Sequence, residues 1–183
     1  MEFIRKEPII FLIAGKARSG KSTVGNIVSS AYNKKGNRVI VTQITKYLKG
    51  YIEDITDSKI DEDNKPRELL QKISSIVIKK ELGMTNFFID RLIEDINIYS
   101  YFFDCIIITD VRFKEEIEVV KNKFSKVISI GVVRDDIDSD LTEEQKQDAT
   151  EVSLDDYNEY DYKIINDSEE ELYAKVVSVL ENI

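Results

Sequence analysis

The chain has 183 residues, enough for one α/β domain with its own core and a small mobile insertion. Hydrophobic residues make up 42% and charged residues 33%; with no apolar run near the ~20 residues of a membrane span and no signal-peptide core, a cytoplasmic, non-membrane protein is expected. A net charge of −9 argues against nucleic-acid polymers as partners, and the absence of histidine removes histidine bases, histidine metal sites and Ser-His-Asp triads.

In chain order, Ile9–Ala14 is an apolar, β-branched run that reads as a buried parallel strand. It leads into Gly15-Lys16-Ala17-Arg18-Ser19-Gly20-Lys21-Ser22, which fits G-x-x-x-x-G-K-[ST], the phosphate-binding P-loop. A helix over Lys21–Lys34 follows, as that motif requires. The two glycines let backbone N–H groups wrap a polyphosphate, and the helix N-terminus faces the same anion. Lys21 then supplies charge to the β- and γ-phosphates, and the Ser22 hydroxyl is placed for Mg²⁺. The ligand implied is a nucleoside triphosphate.

Further strands are expected at Val39–Gln43, Ile106–Asp110, Val127–Val133 and Tyr162–Ile165. Helical patterns lie between them at Ile44–Ile55, Pro66–Leu82, Thr85–Tyr99, Lys114–Phe124 and Ser168–Leu180. This alternation implies a mostly parallel sheet with helices on both faces. In the Pro66 helix, Leu69, Leu70, Ile73, Ile76 and Val77 form the expected buried stripe, while Arg67 and Gln71 share another face. Gly83 is its expected stop, Thr85 the next N-cap, and Asp167 or Ser168 caps the last helix. Phe87, Phe88, Tyr99, Tyr101, Phe102 and Phe103 are expected to fill core, and Cys105 reads as a structural thiol. Asp57–Lys65 is a polar loop. Asp135–Ser153 is polar without strand character and reads as a flap, with most of its carboxylates a solvated surface.

The P-loop names a ligand before it names a reaction. No Asn-Lys-x-Asp loop and no strand ending in Asp-x-x-Gly supports a switch GTPase. The strand Ile106–Asp110 continues Val111-Arg112, without the water-activating Glu of ATPase motors. What remains is a protein that avoids activating water and sets arginines near its site, as phosphoryl transfer to another phosphate requires.

The P-loop Gly15–Thr23, the segment Pro66-Arg67-Glu68-Leu69-Leu70-Gln71 and the stretch Ile107–Ile117 around Thr109-Asp110-Val111-Arg112 resemble the phage-type deoxynucleoside monophosphate kinase family. Val132-Val133-Arg134, Thr150-Glu151 and Ile165-Asn166-Asp167 match its later landmarks in the same order. Members often carry a His shortly before the lid Glu; here Asp148 stands about there, and the flap has Lys146 but no arginine. The resemblance implies a P-loop kinase fold with a five-stranded parallel sheet of order 2-3-1-4-5. It also implies an acceptor-binding helical region at about 45–100, a lid at about 134–153, and transfer of the ATP γ-phosphoryl to a (deoxy)nucleoside 5′-monophosphate with Mg²⁺.

On that reading Gly15, Lys16, Ala17, Arg18, Ser19, Gly20, Lys21, Ser22 and Thr23 hold the donor phosphates, Thr23 at the α-phosphate. Lys21, Asp110, Arg112 and Arg134 are the expected catalytic set, and Ser22 with Asp110, through water, the metal-binding pair. Arg67, Arg91 and Arg112 are candidates for the acceptor phosphate, because guanidinium forks grip phosphate oxygens; a surface ion pair is the plain alternative for each. Gln71 reads the acceptor base or simply faces solvent, Arg134 serves the flap or pairs with Asp135 or Asp136, and Glu151 seats the acceptor or is surface charge. A kinase of another phosphorylated metabolite, of phosphomevalonate or dephospho-coenzyme A type, and a non-catalytic nucleotide-binding module are the rival functions. An exposed helix leaves room for a homodimer, which nothing in the sequence demands.

Overall fold

The computed structural model describes residues 3–60, 66–134 and 152–183. Five parallel strands, β1 Ile9–Ala14, β2 Val39–Thr42, β3 Cys105–Val111, β4 Val127–Val133 and β5 Tyr162–Ile165, form one sheet of order β2-β3-β1-β4-β5. The order implied by the family resemblance is the order found. Composition explains it: β1 (IIFLIA) and β3 (CIIITDV) carry apolar side chains on both faces and take the interior, whereas β2 and β5 expose Val41 and Lys163 and lie at the edges. The pairing shifts between Leu12↔Ile108 and Ala14↔Val111, so β3 holds one extra residue beside the end of β1. That bulge falls at Thr109-Asp110.

By packing, the chain divides into a unit of residues Met1–Gln43 with Ile96–Ile183 and a second of Ile44–Asp95. The first holds the sheet with α1 Lys21–Lys34, α5 Lys114–Lys123 and α6 Glu169–Glu181. α1 and α6 bury Val24, Val28, Leu172 and Val176 against Phe11 and Ile130. Gly25 lets α1 come close: a Cβ there would sit 2.5 Å from the Thr109 methyl on β3. α5 lies along β4 and buries Ile117 and Val120.

The second unit contains α2 Lys46–Thr56, α3 Arg67–Lys72 and most of α4 Phe87–Tyr99 around Leu48, Ile52, Leu70 and Ile78. Here one expectation is corrected: Ile76 and Val77 are exposed, and Ile78 is buried instead. The cause is the ladder. From Ile73 to Glu81 the helix widens to π spacing, closing with the Leu82 amide on the Val77 carbonyl at 2.9 Å, so an α-helical stripe drifts off the buried face. α4 begins at Phe87, one residue later than a Thr85 cap predicts. Buried Asp95 accepts from the Tyr47 hydroxyl at 2.7 Å and the Lys46 ammonium at 2.6 Å, a satisfied carboxylate that ties α2 to α4. The aromatic cluster is also split, with Phe87 and Phe88 edge to face on each other and packed against this core but Tyr101 and Phe102 exposed.

Two carboxylates of the acidic stretch after the flap do more than solvate the surface. Asp161 Oδ2 accepts from the Ser129 amide at 2.7 Å, the Ser129 hydroxyl at 2.8 Å and the Lys121 ammonium at 2.9 Å. Burial alone would raise its pKa, but these donors outweigh burial and hold the carboxyl below the usual aspartate value. A depressed folded-state pKa adds stability above the unfolded value, and that stability disappears as pH falls through the folded one. Asp161→Asn should therefore cost about 1 kcal/mol at pH 7, its side chain being partly screened by solvent. Urea melts should show the gap to wild type closing as pH drops below about 4. The other carboxylate, Asp155, belongs to the site described below.

Cys105 is wholly buried, and burial together with neighbouring Asp104 pushes its thiol up to about 12. The native protein should resist iodoacetamide at pH 8 and take up one equivalent only in denaturant, measured by mass spectrometry.

Candidate active site

β1 delivers the chain to the P-loop at the carboxyl edge of the sheet, where ligands of open α/β folds bind. Gly15 has φ +148° and Gly20 φ +103°, both in the region that favours glycine. Space is short as well. A Cβ on Gly15 would meet the Val132 carbonyl oxygen at 2.3 Å, and one on Gly20 would meet Asn166 Nδ2 at 2.5 Å. Between them Arg18 adopts φ 59°, an uncommon conformation for a side chain of that size, and is exposed.

α1 starts at Lys21 with Gly20 as its N-cap, so no side chain caps it, and its first turn holds no acidic residue. The N-termini of α5 and α6 in the same unit are treated differently. α6 has the Ser168 hydroxyl accepting from the Glu171 amide at 3.3 Å and three glutamates in its first turn. At α5 the buried Glu116 carboxylate accepts the Arg112 and Phe113 amides at 2.8 and 3.0 Å. Because α1 also follows directly on the two-glycine loop, its positive end without either compensation can take an external anion.

Lys21 is buried and donates to the Gly15 carbonyl at 2.7 Å and to the Lys16 carbonyl. Its ammonium is thus already inside the loop, on weak neutral acceptors that a phosphate oxygen would replace. Ser19 is buried too, and its Oγ is the one buried side-chain polar atom among the described residues without a hydrogen-bond partner. Lys16 pairs at 2.7 Å with Asp155 from the segment following the flap.

The bulge register sets Asp110 and Arg112, both half-buried, beside the P-loop at the end of β3. Glu116, by taking the Arg112 amide, holds the corner that carries them. The Ser22 hydroxyl is exposed in the first turn of α1 and Thr23 is half-buried. Among the described residues no cluster of three or more Asp, Glu, Cys or His could cage a metal alone. One hydroxyl, one carboxylate and the oxygens of a bound polyphosphate form the donor set that Mg²⁺ uses, so these residues fit that ion. Arg134 is exposed just beyond β4, whose Gly131 pairs with Ala14 before the loop.

Three of the other predicted residues belong to the second unit. Arg67 and Gln71 are exposed one turn apart on α3 of the second unit, with Pro66 as N-cap rather than first helical residue. Arg91 forms a 2.6 Å ion pair with Glu94. Glu151, Asp148 and the flap over 135–151 fall outside the described residues.

No protein-family model matches the sequence, and no curated protein does. Solved structures do match in shape. The Mycobacterium tuberculosis APS kinase CysC in complex with AMPPNP and APS aligns over 96% of this chain and 99% of its own, at 13% identity and a TM-score of 0.59. A sugar kinase from Janibacter sp. HTCC2649 covers 95% of each chain at 12% and 0.59. Shikimate kinase from Aquifex aeolicus covers 95% and 97% at 16% and 0.51. The chain has a P-loop kinase fold. Within this fold, sequence inspection missed Asn166 and Asp155 as residues touching the P-loop. A helpful signal was Asn166's place immediately after a strand's carboxyl end.

Gly15→Ala combines strain with a clash against backbone and should lower stability by about 1–3 kcal/mol. Gly36, at φ +83° with nothing within 4 Å of a Cβ, is the control. Gly36→Ala should cost about 1 kcal/mol and leave triphosphate binding intact, whereas Gly15→Ala should abolish it, as read by calorimetric titration.

Proposed function

We propose that this protein transfers the γ-phosphoryl group of ATP to a (deoxy)nucleoside 5′-monophosphate. The observation that carries the phosphotransfer half is the uncapped α1 N-terminus with Lys21 folded into the loop beneath it, next to the Asp110–Arg112 corner. The acceptor class is supported by the resemblance of Thr109-Asp110-Val111-Arg112 and Arg67-Glu68-Leu69-Leu70-Gln71 to the phage-type deoxynucleoside monophosphate kinases.

An acceptor phosphate is ionised at neutral pH, so the chemistry needs no general base and a chain without histidine can perform it. The obstacle is the approach of two polyanions, and the residues answer it with fixed positive charge. Backbone amides from Gly15 to Thr23 and the α1 N-terminus hold the donor. Lys21 exchanges the Gly15 and Lys16 carbonyls for phosphate oxygens and stays with the charge as it moves to the acceptor. Arg112, held by Glu116, grips an acceptor phosphate oxygen, and Arg67, Arg91 and Gln71 are our candidates for the rest of the acceptor. Ser22 and Asp110 would hold Mg²⁺, the latter through water, and the ion would neutralise the β- and γ-oxygens when bound. Arg134 adds a cation at the far side of the loop, and Arg18 covers the donor.

The kinase neighbours named for APS, shikimate and sugars favour a second reading, in which the acceptor is another small metabolite. A coupled ADP-release assay over the common NMPs and dNMPs, with shikimate and simple sugars beside them, separates the two. The proposal expects turnover with at least one nucleotide. Turnover only with a non-nucleotide supports the second reading, and none with any acceptor ends both. Lys21→Ala should lower kcat by about 10²–10³ with a native melting curve. Unchanged kcat would remove its assigned role.

A further inference from the structure

Asn166 follows β5 and is buried; its backbone amide bonds the Val133 carbonyl at 2.7 Å, continuing the β4–β5 ladder by one step. Its side chain then reaches across 147 positions of sequence, and Nδ2 donates to the Ser19 carbonyl at 2.9 Å. A carbonyl accepts only from the amide nitrogen, so the orientation of this side chain follows from chemistry. The residues on either side are also restrained: Lys175 Nζ bonds the Ile165 carbonyl at 2.8 Å and Asp167 Oδ2 at 2.6 Å. The amide is a rigid post set in the sheet, and Gly20 leaves it room by lacking a Cβ.

The Ser19 carbonyl belongs to the same planar peptide as the Gly20 N–H. In a trans peptide the two point in opposite directions. Fixing the oxygen on Asn166 therefore fixes the Gly20 N–H on the opposite side. We infer that Asn166 is a positioning residue for the donor nucleotide, holding the Ser19–Gly20 peptide so that the Gly20 N–H faces the phosphates. It touches no reacting atom and acts through the loop. The inference rests on the reading of the P-loop as a triphosphate site and adds a residue from the opposite end of the chain to it.

The test uses full-length wild type, Asn166→Ala and Asn166→Asp, titrated calorimetrically with a non-hydrolysable ATP analogue and Mg²⁺ at pH 8 and pH 5.5. Each variant's affinity is compared with wild type at the same pH. Both variants should bind about 10- to 100-fold more weakly at pH 8, with the acceptor KM unchanged. An aspartate carboxyl buried against a carbonyl has a raised pKa, and once protonated its O–H donates to the Ser19 oxygen. Asn166→Asp should therefore regain affinity at pH 5.5 while Asn166→Ala does not, a pattern that simple loss of packing does not produce. Wild-type affinity in Asn166→Ala, or equal losses for the two variants at both pH values, would overturn the inference and leave the triphosphate reading standing. Failure of both variants to fold would also overturn it, because the contact would then support the whole unit. If wild type itself does not bind the analogue, the underlying reading falls and this one with it.

Discussion

Two turns at Gly15 and Gly20 govern what this molecule can do. Each has a positive φ, and each lies against a neighbour that leaves no space for a side chain: the Val132 carbonyl for the first, the Asn166 amide for the second. A loop so confined presents its amides in one geometry before any ligand arrives. Because β1 and β4 are paired up to Ala14 and Gly131, the confinement comes from the sheet itself. Preorganisation of this kind lets backbone dipoles stabilise charge without rearranging when charge moves.

The rest of the first unit supports that arrangement. β1 is buried on both faces from Ile10 onward, so its end cannot shift without opening the core. Gly25 lets α1 approach β3 closely, which aims the helix N-terminus at the loop, and the β3 bulge sets Asp110 and Arg112 at the same edge. The net charge of −9 makes a local site of this type a necessity: an anionic ligand must find its cations in a fixed pocket because the exterior repels it.

Much of this was legible in the residues, and the reasons differ by element. β1 and β3 are largely apolar runs rich in isoleucine, a pattern that suits a strand buried on both faces, whereas the sheet order came from the family resemblance and not from the strands themselves. The P-loop was readable because glycine spacing and Lys21 are local chemistry. The stripe on the helix after Pro66 misled because periodicity assumes α-helical winding, and the π-wound segment at Ile73–Glu81 breaks that assumption. Tyr101 and Phe102 misled in another way, since aromatic composition does not say whether a turn faces core or water. Asn166 on the Ser19 carbonyl and Asp95 beneath Lys46 and Tyr47 are tertiary polar contacts, and no local pattern encodes them.

The most direct measurement follows the backbone amides of ¹⁵N-labelled wild-type protein during titration with a non-hydrolysable ATP analogue and magnesium. The account predicts saturable shifts concentrated from Gly15 to Thr23, with the Asn166 side-chain amide moving at the same ligand concentration. Saturable binding that leaves those resonances in place, or no binding at millimolar analogue, would contradict it.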